Sequence, residues 1–395
     1  MESQRIHSID IFRGLTIFLM VFVNDLAGVS GIPMWMKHVP ANVDGMTFVD
    51  VVFPAFLFIV GMAIPFAVSN REQKSKSSIK FWQHVFIRTF GLLVLGVYMV
   101  NSEEMNADET LIPKRLWSAA LYIAAILIWN RYPKNEEKRK NYLFTALQIL
   151  GVVILMVLAF TYRKGEGDQL SGMTPSWWGI LGLIGWAYLI SVFLYKISKA
   201  QLAKMIGLFL LVFGFLLVLR SGFTDLPILL KWFQNQSGHI THTILVLSGI
   251  LCSMILAKDG LKENAHLKMR MMLGFGLLLL IGGYFSQPFG GVSKIAATPS
   301  WALYSAAICC FLFPFIYWLV DIKEVKNWSN FLKPAGKNPL LTYILPSLFF
   351  AILGYSFIPD ILTQGIFGFM RAIVFSLFIL WLADRLTKKG IRMHL

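Results

Sequence analysis

Residues 11–29 read Ile-Phe-Arg-Gly-Leu-Thr-Ile-Phe-Leu-Met-Val-Phe-Val-Asn-Asp-Leu-Ala-Gly-Val, and residues 48–69 read Phe-Val-Asp-Val-Val-Phe-Pro-Ala-Phe-Leu-Phe-Ile-Val-Gly-Met-Ala-Ile-Pro-Phe-Ala-Val-Ser. About 20 mostly apolar residues, rising 1.5 Å each, cross a hydrocarbon core of roughly 30 Å. Both runs meet that length, and ten more follow near 81–100, 116–130, 142–161, 176–195, 205–219, 240–257, 271–285, 301–320, 339–357 and 365–383. The expectation is an all-α, polytopic integral membrane protein forming one domain over residues 1–395. It has about 12 transmembrane helices, or 10 to 12 because the fourth and seventh runs are short. The stretch from Leu226 to Phe233 reads as a re-entrant or interfacial piece.

Composition agrees. Of 395 residues, 56% are hydrophobic and only 14% charged, with mean hydropathy +0.64. A soluble domain carries roughly a quarter charged residues, and a disordered tail is poorer in apolar residues. Three cysteines cannot make a disulfide framework; Cys252, Cys309 and Cys310 fall in or beside apolar runs and read as packing residues. The net charge of +15 would suggest nucleic acid in a soluble chain. Here it belongs to the loops, and no nucleic-acid partner is expected.

Lys and Arg near the ends of spans are retained in the cytoplasm. With twelve spans, the N-terminus, the loops after even-numbered spans and the C-terminal tail hold 25 of the 36 basic residues; the opposite loops hold 8, and Arg13, Arg88 and Arg371 lie within spans. Both termini are therefore expected in the cytoplasm. The first apolar run is preceded by Asp10 and interrupted by Arg13, so it reads as a retained span and not as a cleaved signal peptide.

Intramembrane polar residues mark helix pairing or a functional cavity, because an unpaired charge in hydrocarbon costs at least ~2.5 kcal/mol. Asp10 and Arg13 can pair on one helical face. Asn24 and Asp25 arrive roughly 17 Å farther along that helix and lead into an outer loop containing His38. Thr47 and Asp50 fit a capping box, with Pro54 freeing the carbonyl of Asp50; Asp50 can equally face His38 and orient its imidazole. By spacing alone His38 is either a solvated loop residue or a base, nucleophile or proton carrier. His239 and His242 lack a third ligand nearby, so no metal site is expected. Gln287, Lys294, Thr298, Pro299, Ser300 and Trp301 form a second outer loop entering a helix, with Thr298 readable as a cap. Pro334-Ala-Gly-Lys337-Asn338-Pro339 reads either as a plain capped helix start or as a phosphate site made by free N–H groups and the Lys337 charge.

Arg5-Ile-His-Ser-Ile-Asp-Ile-Phe-Arg13-Gly14, Met20-Val-Phe-Val-Asn24, Lys37-His38 and Asp50-Val-Val-Phe-Pro54-Ala-Phe-Leu-Phe58-Ile-Val-Gly61 resemble the heparan-α-glucosaminide N-acetyltransferase family and its bacterial relatives. The resemblance continues more weakly through Lys294 to Trp301 and Gly336-Lys337-Asn338-Pro339-Leu340. It implies transfer of an acetyl group from cytoplasmic acetyl-CoA to the amine of an amino sugar or glycan across a bacterial inner membrane, through a histidine that matches His38. On that implication His38, Asp50 and Asn24 are catalytic candidates. Asp25, Gln287, Lys294, Ser300 and Trp301 are substrate-binding candidates; Lys337, Asn338 and Arg13 are candidates for holding acetyl-CoA. A homodimer is compatible with the family. The segment from His38 to Gly45 is longer than the family spacing, and Val43-Asp44 replaces its usual tryptophan, so the resemblance leaves the acceptor open. The competing expectation is an inner-membrane permease for N-acetylglucosamine or N-acetylmuramic acid, with Asp25, His38 and Asp50 binding sugar and carrying protons.

Overall fold

The computed structural model describes residues 6–74, 77–133, 136–222, 227–257 and 264–394, apart from the side chain of Lys74. The counted cations Arg5, Lys76, Lys134, Lys258 and Lys262, and Leu226 of the expected interfacial piece, lie outside the described residues. Within them, regular structure is helical and β-pairing is limited to isolated bridges. The first half comprises α1 (His7–Leu26), α2 (Val49–Lys74), α3 (Ser78–Glu104), α4 (Lys114–Trp129), α5 (Lys138–Thr161), α6 (Ile180–Ser198) and α7 (Leu202–Arg220). The second comprises α8 (Ile228–Asn235), α9 (Ser237–Ala257), α10 (Ala265–Phe285), α11 (Pro299–Tyr317), α12 (Lys333–Lys337), α13 (Pro339–Leu353) and α14 (Gly365–Lys388).

Each of the twelve apolar runs lies on one of these helices. Among the described residues, nine are individually long and apolar enough to cross a membrane. Residues 327–337 and α13, bent by 79° at Asn338, make a tenth as a broken span. The helices outside the nine have visible reasons. Only 16 residues form α4 and 15 form α13, while α1 carries Asp10, Arg13 and Asp25 along its length. The short α8 leaves Ile228, Leu229 and Trp232 exposed, as an interfacial piece does.

The core lies where α1, α2, α9 and α11 meet, whereas α5, α7 and α10 turn leucine, valine and isoleucine side chains outward. Water would penalise such surfaces; hydrocarbon does not. Small residues let the inner helices touch. A Cβ on Gly61 would collide with the carbonyl oxygen of Val246, and one on Gly249 with that of Phe58, so α2 and α9 pack backbone to backbone. Hydrogen bonds then sort the helix ends. The start of α1 donates from His7 and Ser8 to the Asp321 carboxylate at 3.1 and 3.0 Å, which caps its positive pole. At that same end Asn338 holds the segment after α14, and His394 donates to the carbonyl of Trp129. The first and last described residues thus share one end of the bundle. At the opposite end, Ser30 pairs with Gln364 and Gly365, and the loops 37–47 and 286–298 come together.

Candidate functional site

The first turn of α2 builds the site. Asp50 is 1% exposed and uses both carboxylate oxygens: Oδ1 lies 2.7 Å from Nδ1 of His38, and Oδ2 accepts from the backbone N–H of Thr47 at 3.0 Å and Val39 at 3.3 Å. This is half of the expected capping box. The Thr47 hydroxyl donates at 2.8 Å to the carbonyl of Lys37, tying the residue before His38 to the helix start. Cap and orienting carboxylate, which the spacing left as alternatives, are the same group. Asp50 accepts the Nδ1 proton and leaves the Nε2 lone pair outward.

Lys294 meets that nitrogen. Its Nζ lies 3.1 Å from Nε2 and 3.2 Å from Nδ1 of His38; with Nδ1 protonated toward Asp50, its donation goes to Nε2. Burial pushes the Lys294 amine below its ordinary 10.5, and the charge of Asp50 opposes that shift. Two clips hold the loops together. Asp44 Oδ1 accepts from the N–H of Val292 at 2.7 Å, and the N–H of Gly45 donates to the Val292 carbonyl at 2.8 Å. Gly291, with φ at +68° and Asp44 against the place of its missing Cβ, closes the turn beside them.

Pro54 has no N–H for the carbonyl of Asp50, four residues earlier. Trp301, fully buried at 0% exposure, donates its indole N–H to that carbonyl at 3.1 Å. Its ring meets His242 at 5.7 Å between centroids, and His242 in turn meets Phe53 at 5.6 Å. Ser300 donates to the carbonyl of Gly291, and Thr298 Oγ1 accepts from the N–H of Ser293 at 2.9 Å, so both shape the lysine loop. Thr298 does not cap α11 through its side chain, contrary to the simple reading of Thr-Pro. Gln287 donates to the Tyr304 hydroxyl at 2.7 Å.

The neighbours Asn24 and Asp25 part company. Asp25 pairs with Arg371 of α14 at 3.0 Å, both largely buried. Asn24 is exposed and follows Arg13, Ile17 and Met20 on one stripe of α1. Arg13, Ile17 and Met20, but not Asn24, line a cavity of about 290 Å³ between α1, α2, α3, α6 and α13. On α2 the wall runs from Phe56 to Ala67, whereas Asp50, about 120° around the helix from Phe56, lies on the side of Gly61 that meets α9 and α11. Asp50 stands six residues, roughly 9 Å, beyond Phe56. Buried Phe53 occupies the intervening turn.

The other end of the cavity is basic. Arg13, Arg88, Lys337 and His394 line it, its middle is walled by residues such as Ile17, Ile59, Leu92 and Ile184, and no Asp or Glu is among its lining residues. Lys337, from the loop whose spacing suggested an anion site, lines it beside Arg13, which also forms the ion pair with Asp10 expected from their spacing, at 3.1 Å. Asn338 does not line it. Its amide donates to Thr387 Oγ1 at 3.0 Å and the Ile391 carbonyl at 2.9 Å, its oxygen accepts from the N–H of Met393 at 3.2 Å, and it makes no side-chain cap on α13. Reading Asn338 as both cap and phosphate donor is corrected accordingly: its side chain fastens the segment after α14. Arg88, Tyr188 and His394 went unassigned in the sequence, although a lone arginine inside an apolar run was a usable signal for Arg88.

A bundle of membrane-length helices that keeps a histidine–carboxylate–lysine cluster at one end and a basic, apolar-walled cavity behind it defines a multi-pass membrane protein with an interior polar site. Residues 5–253 match the model of the family described as Domain of unknown function (DUF5009), and the chain belongs to that family. It is also 38% identical over 144 residues to heparan-alpha-glucosaminide N-acetyltransferase of Mus musculus, covering 34% of this chain and 21% of that protein. Against the Homo sapiens protein of the same name it is 37% identical over 98 residues, covering 25% and 14%. The matches span about a fifth or less of these curated relatives' length.

Proposed function

We propose that this protein is a transmembrane acetyltransferase that takes an acetyl group from acetyl-CoA and transfers it to an amino-sugar amine through His38. The observation that carries this reading is the cavity. It offers Arg88, Lys337, His394 and Arg13, the last paired with Asp10 at 3.1 Å, at one end, and apolar walls along its length. An anionic ligand with a long, weakly polar arm suits those walls. The names of the two relatives supply the reaction class. A permeated sugar would need hydrogen-bonding groups along its path, which side chains such as Ile17, Ile59, Leu92 and Ile184 do not provide.

In this reading the side with the excess of lysine and arginine is the cytoplasm of a bacterial inner membrane, and both termini lie there. Arg13 and Lys337 hold the phosphate end of the donor. The arm runs from there along the apolar walls toward the His38 end of α2. Nε2 of His38 then acts in one of two balanced ways. As a nucleophile it bonds to the thioester carbonyl carbon while the C–S bond breaks and CoA leaves as thiolate; the sugar amine then displaces the imidazole and loses a proton. As a base it takes the amine proton while nitrogen attacks the thioester directly and thiolate leaves. Asp50 holds the Nδ1 proton in both. Lys294 and Asn24 donate to the oxygen on which negative charge develops. Asp25 is assigned to the ion pair that positions the end of α1, and Ser300, Trp301 and Gln287 to shaping the acceptor side.

The test is acetyl transfer to glucosamine by the purified protein in liposomes. His38→Ala should bind acetyl-CoA unchanged and lose transfer by roughly 10³-fold or more. Undiminished turnover in that variant would end the proposal, and counterflow of labelled amino sugar without CoA would replace it with the permease.

A further inference from the structure

The basic residues of the cavity fall into two groups on different walls. Arg13 of α1 and Lys337 of α12 meet around Gly336, whose carbonyl lies 3.4 Å from Arg13 Nη1. Arg88 of α3 and His394 form the other group. The Arg88 guanidinium lies 4.6 Å from the centroid of the Tyr188 ring, its Nε is buried without a hydrogen-bond partner, and no carboxylate pairs with it among the described residues. Such a guanidinium is held in orientation by the ring and keeps its donors available.

The second member of this group is delivered by a fastened backbone. Arg131 donates to the Arg392 carbonyl at 2.8 Å, Arg392 to Asn130 Oδ1 at 2.8 Å, and His394 to the Trp129 carbonyl at 2.9 Å, while Asn338 grips Ile391 and Met393 from the other side. Burial, with the charges of Arg131, Arg88 and Arg392, holds the His394 ring below its ordinary 6.5. At neutral pH it is an uncharged hydrogen-bonding group beside a fixed cation.

We propose that Arg88 and His394 form a second anion subsite, distinct from Arg13 and Lys337, that takes a phosphate monoester of the donor separate from its diphosphate. The inference rests on the reading of the cavity as a CoA site and adds a selection rule to it. One group of cations answers one phosphate position, and a planar guanidinium fork suits a terminal phosphate dianion.

Calorimetric titration of the purified protein with CoA and with 3′-dephospho-CoA tests the rule. Wild type should bind CoA about tenfold or more tightly than the dephospho form, the scale of one charge-assisted contact. Arg88→Gln should lose that preference by weakening CoA alone, and Arg88→Lys should restore part of it. His394→Ala, outside the helices, provides a second variant with the same expected selectivity loss if Arg88→Gln fails to fold. A wild type that binds both ligands equally, or variants that weaken both equally, overturns the subsite and leaves the CoA reading standing. A wild type that binds neither overturns the CoA reading and the subsite with it.

Discussion

In the proposed reaction, Lys294 sets a limit on when His38 can react. Its ammonium faces the lone pair on which both acyl-transfer routes depend, so it must turn from Nε2 toward the thioester oxygen as chemistry begins. The ammonium exists only below the lysine's own pKa, which burial holds under 10.5. A step that needs it therefore loses rate as pH rises through that lowered value. An arginine stays protonated throughout. The alkaline limb of kcat/KM should accordingly fall below pH 10.5 in the wild type and move upward in Lys294→Arg; an alkaline limb that stays in place removes Lys294 from the chemistry. Asp50, Lys294 and Trp301 were legible from the sequence because each is a polar or proline-associated departure from an apolar run. Their mutual contacts were not, since His38 and Lys294 are 256 positions apart in the chain and loop clips bring them together.

Between elements, one hydrogen bond joins α2 to α11. Pro54 withdraws a donor from the Asp50 carbonyl and Trp301 restores it from another helix, so the geometry at Asp50 depends on a neighbour rather than on its own turn. Trp301→Phe should destabilise the protein by about 1–3 kcal/mol, the range for leaving a buried acceptor unpaired. In a Pro54→Ala background, where the backbone N–H returns, the same change should cost less; a double-mutant cycle by thermal unfolding measures the difference. Additive losses would show that the tryptophan acts only by filling space. At this scale the sequence was read well for helices and less well for their ends. All twelve apolar runs became helices because spanning length and hydropathy are properties of local composition. The roles of Thr298 and Asn338 could not be read locally, because Ser293 and residues 387–393 compete successfully for their side chains.

For the whole molecule, helix ends that share contacts fall into two sets, and each set has its own chemistry. One carries the start of α1, Lys337 and residues 391–394; the other carries His38, Lys294 and the pairing of Ser30 with Gln364. The proposed orientation predicts that a cysteine at the exposed position Lys337 reacts with a membrane-impermeant maleimide only after the cytoplasmic side is opened. A cysteine at Trp35, exposed in the other set, should react in intact cells. The reverse pattern would put the donor end outside and invert the functional reading. Arg88 illustrates why charge arithmetic alone stopped short here: counted as one arginine inside a span, it had no address until α3 and α6 closed around the cavity.

The histidine–aspartate–lysine cluster is divided between two stretches of chain. His38 and Asp50 lie inside the family-matched segment 5–253, whereas Lys294 and Trp301 come after it. The two portions can therefore diverge separately. A relative that preserves the histidine–aspartate half and replaces the lysine would inherit an aligned imidazole without its neighbouring cation, and would have to find another electrophilic aid or accept a more reactive acyl donor.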